Sequence, residues 1–203
     1  SYVFDDFNSG QAYKTHAFTN TQYDEVGWFY CSGSSDEIDR YVSYNYAENA
    51  WAYGQLRRYA WLDSGVEAYP RATDNGFLYE HETGFDDDGT PMTNVFVESS
   101  DFDIGDGEQF AFINRMIPDI RFLSNASGGK VNIVLKTRNF PGDSLTTNST
   151  TPINSTTQQS HVRARARQAV VRVESDDDDT DANTSTGWRL GATRLDVRAD
   201  GRR

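Results

Sequence analysis

The chain carries short runs in which Tyr, Trp and Phe alternate with polar residues, each run closed by Asn, Asp, Gly or Ser. It holds no stripe at a 3.6-residue spacing long enough for a major helix. Aromatic residues at a two-residue period suit pleated strands, so the pattern predicts an all-β protein built from hairpins. In the first 93 residues the clearest strands are "VGWFY" at 26–30, "RYVSYNY" at 40–46, "WAYGQL" at 51–56 and "FLYE" at 77–80. Between them stand "SGSSDE", "AEN" and "TDNG", whose residues favour tight turns. The stretch "DRYVSYNYAENAWAYG" has the logic of a propeller blade, a strand, a polar turn and a strand opened by Trp. With no fixed-period repeat, one or two blade-like sheets are expected, and a complete propeller needs more chain.

From residue 94 the character changes. Strands are predicted at 95–97, 109–117, 131–137, 162–173 and 188–197. Val131, Ile133 and Leu135 alternate with Asn132, Val134 and Lys136, the pattern of a sheet with one wet face. The expected architecture is therefore a partial β-propeller-like set of antiparallel blades over 1–93, followed by a β-sandwich-like domain over 94–203. Residues 143–160, "DSLTTNSTTPINSTTQQS", have almost nothing to bury and read as a polar loop. Residues 176–187, "DDDDTDANTSTG", repel themselves and read as a second loop.

A net charge of −12 argues against a surface that grips phosphate, because nucleic-acid binding needs clustered Lys and Arg. The acids are mostly Asp, and Lys occurs only at Lys14, Lys130 and Lys136, a usage that fits a high-salt setting or a GC-rich genome. Cys31 is the single cysteine, so no disulfide framework is possible within the chain and a buried thiol is expected. No apolar run approaches the ~20 residues of a membrane span, and no leader-like segment is present, so the sequence reads as soluble. The first residue is Ser1, as expected of a processed chain or a piece of a longer one. The N-x-S/T sites at Asn125, Asn148, Asn154 and Asn183 would take glycans only in a secreted eukaryotic protein.

"DFDIGDGEQFAFINRMIPDI" at 101–120 begins like a calcium loop and ends like a buried strand. Asp101 and Asp103 fit the first two ligand positions, but Gly105 stands where the third belongs and Phe112 where a bidentate Glu should close the cage. Gly105 and Gly107 read better as positive-φ residues of a tight turn. In the strand that follows, Phe110, Phe112 and Met116 are expected on one face, Ile113 and Ile117 on the other, with the strand ending or bulging at Pro118. "FDDDGTP" at 85–91 reads as a hairpin tip, since successive strand side chains point apart and cannot share one ion. His81, between Glu80 and Glu82, lacks the spacing to His16 or His161 that zinc would need. In "HVRARARQAVVRV", Arg163, Arg165 and Arg167 share a face. They read either as a ladder for phosphates or an acidic neighbouring subunit, or as surface pairs with cross-strand carboxylates. No catalytic, cofactor-binding or metal-binding residue emerges, and no enzyme is expected.

The strings "YVFDDFNSGQAYKTHAFTNTQYDEVGWFY", "DRYVSYNYAENAWAYGQLRRYAW", "LYEHETGFDDDG", "ESSDFDIGDGEQFAFINRMIPDI" and "WRLGATRLDVRADGRR" together resemble the tail nozzle, or tail tubular protein B (tail hub), family of short-tailed, podovirus-like viruses. The resemblance implies a structural virion protein of the tail, forming a homo-oligomeric ring, a hexamer in the family, with propeller-like and sandwich-like β domains around the channel for genome ejection. It implies adaptor and fibre proteins as partners, transient passage of genomic DNA, and no cofactor. Family chains are much longer, so this chain corresponds to the C-terminal portion. The alternative is a host-surface or carbohydrate-binding tail appendage, suggested by Trp28, Trp51, Tyr53 and Trp61. A third reading, an enzyme with paired carboxylates, requires two acids converging in a cleft.

Overall fold

The computed structural model describes residues 2–103, 107–123, 129–176 and 186–201. Strands account for 52% of the chain and helix for 8%, so the protein is all-β. It divides into two compact units, 1–84 and 85–203.

The first unit opens with a short helix, α1 (Tyr2–Asp6), and a 3₁₀ segment, Ser9–Lys14. Strands β1 (His16–Asn20), β2 (Glu25–Tyr30), β3 (Arg40–Asn45) and β4 (Ala50–Gly54) follow as a four-stranded antiparallel meander in sequential order. A three-stranded meander, β5 (Ala60–Leu62), β6 (Arg71–Asp74) and β7 (Phe77–Glu80), completes the unit. The turn chemistry works as the sequence suggests: Asn75 and Gly76, at φ of 52° and 86°, join the paired residues Asp74 and Phe77 in a two-residue hairpin loop. One face of the larger sheet builds the core, with Phe18, Phe29, Cys31 and Ile38 buried and Tyr41, Leu56 and Trp61 packed on them. Cys31 is the buried free thiol expected.

The second unit starts with a small hairpin, β8 (Asp86–Asp87) and β9 (Thr90–Pro91), turned by Asp88 and Gly89 at positive φ. "FDDDGTP" is thus a hairpin tip. A five-stranded sheet follows, in which β10 (Phe96–Glu98) and β11 (Phe102–Asp103) both pair with β17 (Gln168–Ser175), β17 with β14 (Lys130–Arg138), and β14 with β15 (Thr146–Asn154). A three-stranded sheet sets β12 (Ala111–Ile117) between β16 (Ser160–Ala166) and β19 (Arg194–Ala199), and β13 (Ile120–Phe122) pairs with β18 (Trp188–Leu190). Ile113 and Met116 from the smaller sheet and Val131, Ile133, Leu135, Ile153 and Val173 from the larger meet in one core.

Four expectations are corrected. Residues 146–154, read as loop, form β15: Thr and Ile favour strands, the ladder with β14 satisfies the backbone, and Ile153, 1% exposed, anchors it. Pro152 is tolerated because β15 has no second partner among the described strands. The single strand expected over 162–173 is two, and the chain passes from the smaller sheet to the larger at Arg167. The strand expected over 188–197 is likewise two, since β18 and β19 join different partners. In β12 a bulge between Ile113 and Arg115 shifts the register, so Ile113 and Met116 both face the core instead of opposite sides. The strand does end before Pro118.

Leu135 is fully buried and Val66 is 91% exposed. Thermal or denaturant unfolding should show Leu135→Ala costing about 2–5 kcal/mol, from lost transfer energy and the cavity left behind. Val66→Ala should stay within about 0.5 kcal/mol.

Candidate functional site

Strand alternation gives the four-stranded meander two different faces. Trp28, Val42 and Tyr53 lie in one cross-strand row, and Val26, Tyr44 and Trp51 in the next, all on the side away from the Phe18–Phe29 core. Trp28 stacks near-parallel to Trp51 at 6.5 Å, Tyr44 lies 4.7 Å from Trp51, and Tyr53 meets Tyr2 of α1 at 4.2 Å. Trp51 nevertheless keeps 64% of its surface exposed and Tyr53 48%. Trp61, grouped with them from sequence, belongs to the other side: it packs against Phe18 and Phe29, and its indole N–H donates to the Thr19 carbonyl at 2.6 Å.

The core-side face ends in an acidic cluster. Asn20 and Glu25 are directly opposed across β1 and β2 and so share that face. Asn20 is 3% exposed, and its Nδ2 donates to Glu82 Oε1 at 2.9 Å while its Oδ1 has no hydrogen-bond partner. Glu82 sits at φ of 63°, an uncommon backbone setting for Glu. Burial raises the Glu25 carboxyl above the ordinary Glu range, and the Glu82 charge raises it further. Burial raises Glu82 too, against the lowering effect of the Asn20 hydrogen bond. Tyr41 is raised by burial first, then by both carboxylates.

The residues singled out from sequence are placed elsewhere. Asp101 pairs with Arg138. Asp103 closes β11, Phe112 lies in β12, and Gly107 has φ of 73° as expected of a turn, whereas Gly105 lies outside the described residues. That turn joins strands of two different sheets and is not a hairpin. His81 accepts from Arg58 Nε at 2.9 Å and packs 4.8 Å from Trp61, the setting of a packed histidine. Among the described residues, no three His, Cys, Asp or Glu gather as a metal cluster. Val162, Ala164 and Ala166 face inward, while Arg163 and Arg165 point out. Arg165 pairs with Asp200 and lies 4.0 Å over the Phe110 ring, and Arg167 lies over Phe110 and Phe140. The ladder thus engages its own surroundings at two of its three positions. Asn148 and Asn154 are exposed on β15; Asn125, Asn183 and residues 177–185 of the acidic run lie outside the described residues.

The second unit holds a 280 Å³ cavity whose described lining residues include Val97, Phe102, Val171, Leu190 and Leu195, with Ser99 and Thr193 as polar side chains. Sequence reasoning named Glu82 only as a neighbour of His81 and missed Asn20 and Glu25. A signal was there: Asn20 and Glu25 bracket the short connection "TQYD" and are forced opposite one another once it closes. Compared with known proteins, the chain matches no family model and no curated protein.

A carboxyl whose folded pKa is raised contributes stability that is complete below its unfolded pKa and disappears as pH rises through the folded value. In chelator-containing buffer, Glu25→Gln should therefore unfold at a higher temperature than the wild type at pH 7. Melting curves should converge below about pH 4, where both states bind the proton.

Proposed function

We propose that this chain is a structural, non-enzymatic subunit of an oligomeric virion tail, of the nozzle or hub-ring kind its sequence resembles. The observation that carries this reading is the aromatic face of the four-stranded meander, which leaves Trp51 and Tyr53 largely open on a chain of mean hydropathy −0.71. Contiguous aromatic surface of this type marks a protein contact more often than a free surface. A sequential four-stranded antiparallel sheet is also the repeating unit of a propeller, where each blade's face is covered by the next. On this reading the face meets a neighbouring blade or subunit.

Charge supports the same role. A conduit has to pass DNA without holding it, and a protein of net charge −12 repels phosphate. Arg165, the centre of the arginine ladder, is engaged by Asp200. By the same resemblance the ring is hexameric, lies in the tail with adaptor and fibre proteins as neighbours, and surrounds the path of the genome.

A second reading, a carbohydrate-binding appendage, draws on the same Trp51 and Tyr53, since flat exposed rings also stack on sugars. The double variant Trp51→Ala/Tyr53→Ala separates the two. Mass and symmetry measurements on the native assembly should show it failing to incorporate, with thermal unfolding of the isolated chain nearly unchanged. Normal incorporation together with lost glycan binding would replace the structural reading with the appendage.

A further inference from the structure

We propose that the outer face of the three-stranded sheet β16–β12–β19 is a docking surface for the acidic β8–β9 hairpin of a second copy of this chain. The inference rests on the oligomeric reading above and names the partner of one surface in it. The core side of these strands is apolar, with Ala164, Ile113 and Met116 buried. The other side collects Arg163 and Arg165 from β16, Arg115 from β12, and Arg194 and Arg198 from β19. Arg165, Phe112 and Arg198 form one cross-strand row on it. Arg115 stands opposite Asp196 in the next row of that side, and Arg194 closes the face opposite Ile117.

Five arginines thus share one sheet face in a chain of net charge −12, so the remaining surface is more acidic than that total. Asp196 is the acid among the strand residues of the face, and it is shared, 3.7 Å from Arg115 and 3.6 Å from Arg198. Asp200, just past β19, engages Arg165. Arg163 and Arg194 are exposed and make no ion pair among the described residues. Like charges on neighbouring strands repel, so the face gains from an anionic partner.

The chain carries the complement. Asp86, Asp87 and Asp88 follow one another at the β8–β9 tip, all exposed, and none makes an ion pair among the described residues. Asp86 Oδ1 accepts from the Gly89 N–H at 2.9 Å and holds the turn, which leaves Asp87 and Asp88 to reach outward. Guanidinium and carboxylate pair in matching fork geometry, and arginine beside an aromatic residue such as Phe112 is a composition enriched where proteins meet. Phosphate fits the face less well. A nucleic acid presents one sign of charge throughout and meets Asp196 and Asp200 among the arginines, whereas a second copy brings both signs. Face and hairpin are different surfaces of the same unit, 85–203, so their contact is head-to-tail, the kind that closes into a ring when the rotation permits.

The test measures incorporation of full-chain variants into the native assembly, by its mass and symmetry, at about 0.1 M salt where exposed charges act over ~10 Å. Arg163→Glu/Arg194→Glu and Asp87→Arg/Asp88→Asn should each lower incorporation at least about tenfold, because like charges then face each other. Asn keeps the left-handed backbone of position 88 accessible, and Asp86 still holds the turn. Thermal unfolding of either isolated variant should stay close to wild type, since all four positions are exposed and outside any described ion pair. Both pairs of changes in one chain exchange the signs across the contact, so that variant should recover much of the loss. If wild type assembles and the face and hairpin variants assemble equally well, the docking surface is overturned while the ring reading stands. Loss by the face variant alone, or no recovery when the changes are combined, removes the hairpin as occupant and overturns the proposal. A face variant that assembles normally but no longer retains duplex DNA assigns the arginines to phosphate instead. A wild-type chain that enters no larger assembly ends the ring reading and this contact with it.

Discussion

Phe18 lays its ring over Gly27 across the first hairpin, so close that a Cβ at Gly27 would fall 2.3 Å from a ring carbon and 2.7 Å from the Val42 carbonyl oxygen. That contact needs a residue with no side chain, and the core of the first unit depends on it. Phe18 in turn supports Phe29 at 4.6 Å and Trp61 at 5.1 Å. Trp61 ties β5 back to β1 through the Thr19 carbonyl, beside Asp63, which accepts from Thr19 Oγ1 at 2.9 Å. Gly54 repeats the arrangement on the edge strand, making room for the Tyr41 ring. With one face committed to this packing, alternation leaves Trp28, Tyr44, Trp51 and Tyr53 on the other.

The second unit resolves the same problem differently. Its five-stranded and three-stranded sheets bury their inner faces in a shared core, and the bulge in β12 keeps both Ile113 and Met116 in it. On the outer face of the larger sheet Glu98 lies between Lys136 at 2.6 Å and Arg172 at 3.6 Å, with Arg172 over the Phe96 ring. The Lys136 hydrogen bond, first among several causes, lowers the Glu98 carboxyl, so its contribution is present above the unfolded Glu range and lost as pH falls through the folded value. Glu25 and Glu82 have the opposite sign. Glu98 and Asp63 thus favour the charged form, Glu98 through Lys136 and Asp63, against burial, through hydrogen bonds from Thr19, Thr21 and Ser64, whereas burial sets Glu25 and Glu82 against it.

Much of this was legible in the sequence where one local signal dominates. The alternation of Val131, Ile133 and Leu135, the Asn75–Gly76 turn and the stop at Pro118 each follow from a single residue property, and each appears as expected. What was not legible depends on partners far along the chain. The Thr-rich stretch becomes β15 because β14 supplies its ladder, which composition does not reveal. The register shift in β12 has no glycine or proline to announce it. The Asn20–Glu25 pairing follows from the hairpin, but Glu82 joins it only through tertiary folding.

The two faces of the meander differ: one packs on Phe18 and Phe29, and the other presents Trp51 and Tyr53 to the outside. The claim that this open side is a protein contact is tested most directly by hydroxyl-radical footprinting of Trp51 and Tyr53 in the isolated chain and in its native assembly. The account expects both rings to be oxidised readily in the free chain, in keeping with exposures of 64% and 48%, and to be protected on assembly. Equal oxidation in the two states would contradict it.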